Sequence, residues 1–171
     1  MSLFVPRFDE TVVIREAGAE VIGEGGSAVM RLLADSDATG GALSGMRITL
    51  GEGADGARPH HHDNSAEMFY VLDGTALLLS GDDVVAAERG DLVVVPPGTR
   101  HAFAAAPGER ADLLVVITPG VERFDYFRHL DRVRKGELPP ESLLEVQQRY
   151  DNHFAAHPAW DEARQRPRPR P

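Results

Sequence analysis

Three histidines and one glutamate, carried on two short stretches, constrain this chain more than anything else in it. Pro59-His60-His61-His62-Asp63-Asn64-Ser65-Ala66-Glu67 runs into the apolar segment Met68–Leu72, and the stretch from Gly90 through Leu92–Val95 and Pro96-Pro97-Gly98 ends on His101. On a strand, successive side chains point to opposite faces. His60 and His62 therefore share a face and His61 takes the other, while Glu67, Phe69 and Val71 share one face of the next strand. Imidazoles and a carboxylate make an N/O ligand set suited to Fe, Mn, Ni, Cu or Zn. His60, His62, Glu67 and His101 are thus candidate ligands for one divalent transition metal ion, and only a folded sheet can gather them.

The pattern around these residues is all-β from residue 10 to residue 118. Strands are expected at Thr11–Arg15, Ala28–Leu33, Leu43–Leu50, Glu67–Leu72, Thr75–Leu79, Val84–Ala87, Leu92–Val95, Ala102–Ala105 and Leu113–Ile117. Gly, Pro and Asp separate them, and many short strands with frequent turn signals argue a sandwich or barrel. Asp73-Gly74 between two apolar runs predicts a hairpin. Met46, Ile48 and Leu50 alternate with Arg47 and Thr49, as a strand with one buried face requires. Asp35–Gly41 reads as a loop.

The texture changes after Pro119-Gly120. Val121, Phe124, Phe127 and Leu130 recur at helical spacing, and Gly136 suits the end of a helix over Val121–Lys135. A second helix is expected over Glu141–Tyr150. Residues 119–160 then form a helical extension packed on the barrel, and their apolar stripes favour cover for an outer face over a lid on the barrel mouth. Trp160 is expected to pack on the barrel or on a partner subunit. Residues 161–171 end in alternating Arg and Pro and read as a solvated, disordered tail.

The two motif stretches resemble the cupin family. His60-x-His62, four residues, Glu67, six residues and Gly74 match its first motif; Gly90, five residues, Pro96-x-Gly98, two residues and His101 match its second, with fifteen residues between the halves. Two positions depart. Six residues intervene between Gly53 and His60 and three between Gly56 and His60, where the family has five after its glycine, and Ala105 stands where the family has asparagine. Neither position is a metal ligand in the family. The resemblance implies a double-stranded β-helix, or jelly roll, in a single copy, with His60, His62, Glu67 and His101 as ligands and Glu67 also as the catalytic proton acceptor. Small single-barrel members with this ligand set resemble quercetin-dioxygenase-type enzymes, in which a deprotonated substrate reacts with O2.

Met46, Ile48, Phe69, Val71 and Phe103 are expected to line a substrate pocket, although core packing accounts for them equally. An apolar lining suits an organic, phenolic or enol-type ligand. Arg47, Arg58, Tyr70 and Arg100 lie near the motifs and stand between a pocket role and surface pairing. His61, His129, His153 and His157 are expected at the surface. Three functions remain open: a metal-dependent dioxygenase, a non-oxidative metal enzyme (isomerase, decarboxylase or cyclase), and a non-catalytic small-molecule binder.

Composition narrows the partners. A formal net charge of −9 disfavours nucleic acid, which needs clustered Lys and Arg. Zero cysteines exclude disulfides and thiolate ligands. No apolar run approaches a membrane span, so a cytoplasmic location is expected. The sheet edges of an open jelly roll need cover, and single-barrel cupins often pair, so a homodimer joined through N-terminal strands is expected. Light scattering at micromolar concentration should give a dimer mass, and a monomer would remove the expectation.

Overall fold

Alternating apolar residues build two antiparallel sheets that close on each other, in a computed structural model that describes residues 8–23 and 27–165. The first sheet orders β1 (Glu20–Ile22), β2 (Ala28–Ala34), β3 (Ser44–Leu50), β9 (Ala111–Thr118), the first half of β5 (Ala66–Ser80) and β7 (Leu92–Val95). The second orders β6 (Asp83–Glu88), the rest of β5, β8 (His101–Ala105), β4 (Asp55–His61) and β10 (His153–Phe154). This is a jelly-roll barrel. Met46, Ile48 and Leu50 meet Leu113, Val115, Ile117, Phe69 and Val71 inside it, all buried. On the outer face of β3, Arg47 pairs with Asp112 and Glu16.

The predicted hairpin at Asp73-Gly74 is not there. β5 runs through both residues without reversing, and they pair with Asp112 and Ala111 of β9. The register slips between Val71 and Asp73, the mark of a bulge that bends and twists a strand. That bend lets one strand leave the first sheet and enter the second. The Asp-Gly signal reported a positive backbone angle correctly, since Gly74 has φ of 74°, but the angle serves a kink rather than a turn.

The expected strand Thr11–Arg15 is also absent. Those residues lie exposed ahead of a 3-10 turn at Glu16–Gly18, and the edge of the first sheet is taken by β1 instead. Among the described residues β1 pairs with β2 alone, and residues 11–15 do not add to its outer edge. β4, by contrast, extends the histidine stretch back to Asp55, further than the sequence suggested.

Two expected C-terminal helices become four short ones: α1 (Phe124–Arg134), α2 (Ser142–Glu145), α3 (Gln147–Tyr150) and α4 (Pro158–Gln165). α1 starts later than its apolar spacing implied because the segment before it is tied to the β2–β3 connection. Gly120 N–H donates to Gly41 O (2.9 Å), Ser44 Oγ to Val121 O (2.7 Å), and the Asp35 carboxylate accepts Arg123 N–H (2.8 Å) and Phe124 N–H (3.0 Å). Asp35 thus caps the helix from a distant loop, satisfying donors that α1 leaves open.

α1 and α3 bring Tyr126, Phe127 and Tyr150 into the same buried cluster as the barrel core, so they close the barrel mouth. The expectation of outer-face cover fits α4 alone. Its Trp160 packs on Leu79, Ala102 and Ala104 at the back of the second sheet, and Arg164 donates to Ala105 O (2.7 Å) and Gly53 O (2.8 Å). Residues 161–165 are therefore helical and anchored, not part of a loose tail; residues 166–171 lie outside the described residues. Among the described residues no helix is long and apolar enough to cross a membrane.

Two substitutions test this architecture. A Cβ on Gly74 would sit 2.0 Å from Arg110 O at a positive φ, so Gly74→Ala should lower unfolding stability by about 2 kcal/mol or more in urea titration. Trp160→Ala should cost about 3 kcal/mol by the same measurement, as expected for a buried indole.

Candidate metal centre

β4, β5 and β8 carry the four candidate ligands to one buried point. His60 and His62 stand at the end of β4, Glu67 near the start of β5, and His101 at the start of β8, where it pairs with His60 across the strands. All four are buried, and one ligand atom from each lies within 4.8 Å of the others. Glu67 Oε2 is 2.6 Å from His101 Nε2 and 3.1 Å from His62 Nε2. The parity argument holds: His61 turns outward, half-buried, with Nε2 3.3 Å from Asp63.

The back of each imidazole is fixed in the same way. Nδ1 of His60 meets Arg58 O at 2.7 Å, Nδ1 of His62 meets Asp151 O at 2.6 Å, and Nδ1 of His101 meets Thr99 O at 2.9 Å. A carbonyl only accepts, so each Nδ1 carries the hydrogen. The tautomer is thereby set and each Nε2 is aimed into the cluster, as histidines that bind metals require.

Electrostatics agree. Burial lowers the affinity of His60 for a proton well below the usual imidazole range, and His101 and His62 add to the effect. Burial lowers His62 too, against a partial opposing pull from Glu67. His101 feels the same burial, but the Glu67 carboxylate outweighs it and raises its pKa. Burial pushes the Glu67 carboxyl up, yet the charges and hydrogen bonds of His101 and His62 overcome that and hold it well below the usual carboxylate range. Without an ion, protons on Nε2 of His101 and His62 bridge to the anionic carboxylate, and a buried negative charge of this kind calls for a cation. The donor set fits one transition metal ion, and such an ion competes for the same positions as protons.

Three of the four ligands open onto a cavity of about 1270 Å³. Met46, Ile48 and Phe103 line it as expected, with His60, His62 and Glu67 on its wall. Phe69 and Val71 do not. Phe69 packs behind the site on Phe103 and His101, with ring centroids 5.3 and 6.3 Å away, and Val71 is fully buried core. Arg58 borders the cavity, whereas Arg47 pairs on the outer face, Tyr70 is exposed and Arg100 reaches only Asp82. His129 hydrogen-bonds Ser142 Oγ at 2.7 Å. The expected surface position fails for His157, which is buried, and for His153, which stacks on His61 at 5.1 Å where β10 pairs with β4. Edge pairing draws His153 in; helix α4 draws in His157.

Two residues that matter here had no signal in the sequence. Asp151, in a left-handed conformation with φ of 48°, gives its carbonyl to His62 while its carboxylate accepts the N–H groups of Asp63 (2.8 Å) and Asn64 (2.9 Å). It locks the loop that presents His62. Arg123 is buried with its guanidinium against the His62 ring, Nη2 lying 2.6 Å from Nδ1 and 3.1 Å from Nε2. Both lie far along the chain from the motifs, in a segment whose only visible pattern was helical.

His60→Ala or His101→Ala should each remove about one equivalent of transition metal per chain and lower the melting temperature, since bound ion stabilises the native state by mass action. His61→Ala should leave metal content unchanged, as elemental analysis of all three variants will show. Asp151→Ala should weaken metal affinity about tenfold in a chelator competition, the size typical of lost outer-sphere support.

Comparison with known proteins agrees with this geometry. The Cupin_2 model, a cupin domain, matches residues 46–117. Among curated proteins no sequence relative is found. Similar solved structures include Pac13, a nucleoside dehydratase (17% identity, TM-score 0.53, covering 68% of this chain and 88% of that one). An RmlC-like cupin from Shewanella frigidimarina is 21% identical with TM-score 0.54, covering 70% of this chain and 95% of that one. A predicted oxalate decarboxylase from Thermotoga maritima is 23% identical with TM-score 0.55, covering 63% and 98% respectively. At these identities the likeness is one of fold. Motif spacing, barrel topology and the family match coincide on the same strands, and residues 46–117 form a cupin domain.

Proposed function

We propose that the chain is a metal-dependent enzyme acting on a small oxygen-bearing organic molecule, with dioxygenation of a phenolic or enol-type substrate as its chemistry. The observation that carries an enzymatic reading is that the convergent four-ligand site opens onto one roomy cavity through His60, His62 and Glu67. A closed structural site would need no such opening. A bound transition metal would supply Lewis acidity and, where redox-active, access to O2. His60, His62, Glu67 and His101 would hold it; Met46, Ile48 and Phe103 would exclude water around an apolar substrate body.

One observation favours a non-oxidative reading of the same site, as an isomerase, decarboxylase or cyclase. Glu67 is held by two imidazoles and its pKa is driven down, so it is a weak proton acceptor where it stands. A substrate that arrives already ionised, or a reaction that needs no proton removed by Glu67, escapes this difficulty. Protein purified without a His-tag should contain about one equivalent of metal by elemental analysis. Redox-active metal with O2 uptake over a panel of flavonols and diketones supports dioxygenation. Zinc with turnover of the same panel and no O2 uptake supports the non-oxidative reading, and wild-type protein that holds no metal under any loading condition overturns both.

A further inference from the structure

Arg123 is a fully buried cation in the wall of this cavity, and the barrel motifs do not account for its place. Its side chain is among the largest that are fully buried. Burial lowers its pKa, opposed by the carboxylates of Glu67, Asp151 and Asp35 and by Tyr126, and a guanidinium keeps its proton in proteins regardless. Yet among the described residues no carboxylate forms an ion pair with it. Its polar contacts are poor: Nη1 to Asn152 Oδ1 at 3.4 Å, Nη2 to Asp151 O at 3.4 Å, and the His62 ring. That ring offers no lone pair to it, because Nδ1 donates to Asp151 O and Nε2 is turned toward Glu67. Nε is buried with no hydrogen-bond partner at all.

A buried, charged fork with open donors is expensive unless something completes it. Nor is its position loose. Asp35 holds the Arg123 backbone N–H, Gly120 and Val121 are tied to the β2–β3 connection, and the guanidinium lies 5.9 Å over the Tyr126 ring. The chain thus fixes a cation at the cavity wall, beside the metal ligands and outside the matched family segment. With a divalent ion present, Glu67 neutralises only one of its two charges, and Arg123 adds another. The loaded site is then short of negative charge.

We propose that Arg123 anchors a carboxylate of the substrate, so that the natural substrate is a small organic acid whose second oxygen function lies toward the metal. This rests on the reading of His60, His62, Glu67 and His101 as a metal site. The Nη groups of a guanidinium at the cavity wall can pair with the charged oxygens of a carboxylate, which a neutral ester or amide cannot offer. A hydroxy or enol acid bearing two ionisable oxygens would also supply the charge that the loaded site lacks. Such a substrate would arrive with its carboxyl ionised, and a 2-oxo acid would bring no O–H proton for Glu67 to remove.

The test uses the full chain, metal-loaded, with a panel of aromatic and aliphatic 2-hydroxy and 2-oxo acids, salicylate and pyruvate among them, each set against its methyl ester. Binding is read by calorimetry and by the shift in melting temperature, and metal content is measured in every sample. Acids should bind and their esters bind at least tenfold more weakly. Arg123→Gln should weaken acid binding about tenfold to a hundredfold, the size of a lost charge-assisted pair, with metal content retained and ester binding unmoved; Arg123→Lys should recover part of the loss. Equal binding of acids and esters by wild type, no binding of any acid in the panel, or acid binding by Arg123→Gln equal to wild type each overturns the proposal. If Arg123→Gln fails to fold, the acid–ester comparison in wild type and the Arg123→Lys variant decide. Wild type that takes up no metal marks failure of the metal reading instead, and the acid–ester difference is then read on the metal-free chain.

Discussion

Everything in the site depends on three hydrogen bonds that point away from it. Each imidazole spends its Nδ1 hydrogen on a backbone carbonyl: Arg58, Asp151 and Thr99 for His60, His62 and His101. Two of these carbonyls lie just upstream of their own histidine, so strand geometry alone supplies them. Carbonyls cannot move without disturbing the chain, and a ring held this way presents the same lone pair at all times. Preorganisation of this kind spares a bound ion the cost of ordering its own ligands. It also explains why the barrel tolerates so polar a cluster beside Phe69 and Phe103.

The ligand set and the barrel were legible in the sequence because both rest on local rules. Parity along β4 separated His61 from its neighbours, and alternation in β3 divided Met46, Ile48 and Leu50 from Arg47. What sequence could not show was tertiary competition. Asp73-Gly74 has the chemistry of a turn, but pairing with β9 draws it into a continuous strand. Thr11–Arg15 has strand-like composition, but β1 holds the sheet edge. Phe69 and Val71 share a face with Glu67, yet depth in the barrel, not parity, decides which side chains meet the cavity.

The C-terminal segment shows the same limit more sharply. Helical spacing identified Phe124 and Phe127 as apolar contacts, but gave no hint that the turn before them delivers Arg123 or that the turn after α3 delivers Asp151. Both act through backbone positions fixed by distant partners, Asp35 in one case and the 62–64 loop in the other. The extension thus belongs to the site as much as the barrel does. α1 closes the mouth, Asp151 orients a ligand, and only α4 is plain cover for an exposed sheet face.

The contact between His62 and Asp151 spans 89 residues, and a chain is made from its N-terminus onward. When Thr118 has left the ribosome, β4, β5 and β8 are all available, and His60, Glu67 and His101 have the backbone that orients them. The carbonyl that orients His62 does not yet exist. At ordinary rates of synthesis it arrives on the order of ten seconds after His62 itself. The nascent barrel therefore passes through a stage with three fixed ligands and one free to turn, and the site takes its final form only when the last third of the chain folds back over the mouth.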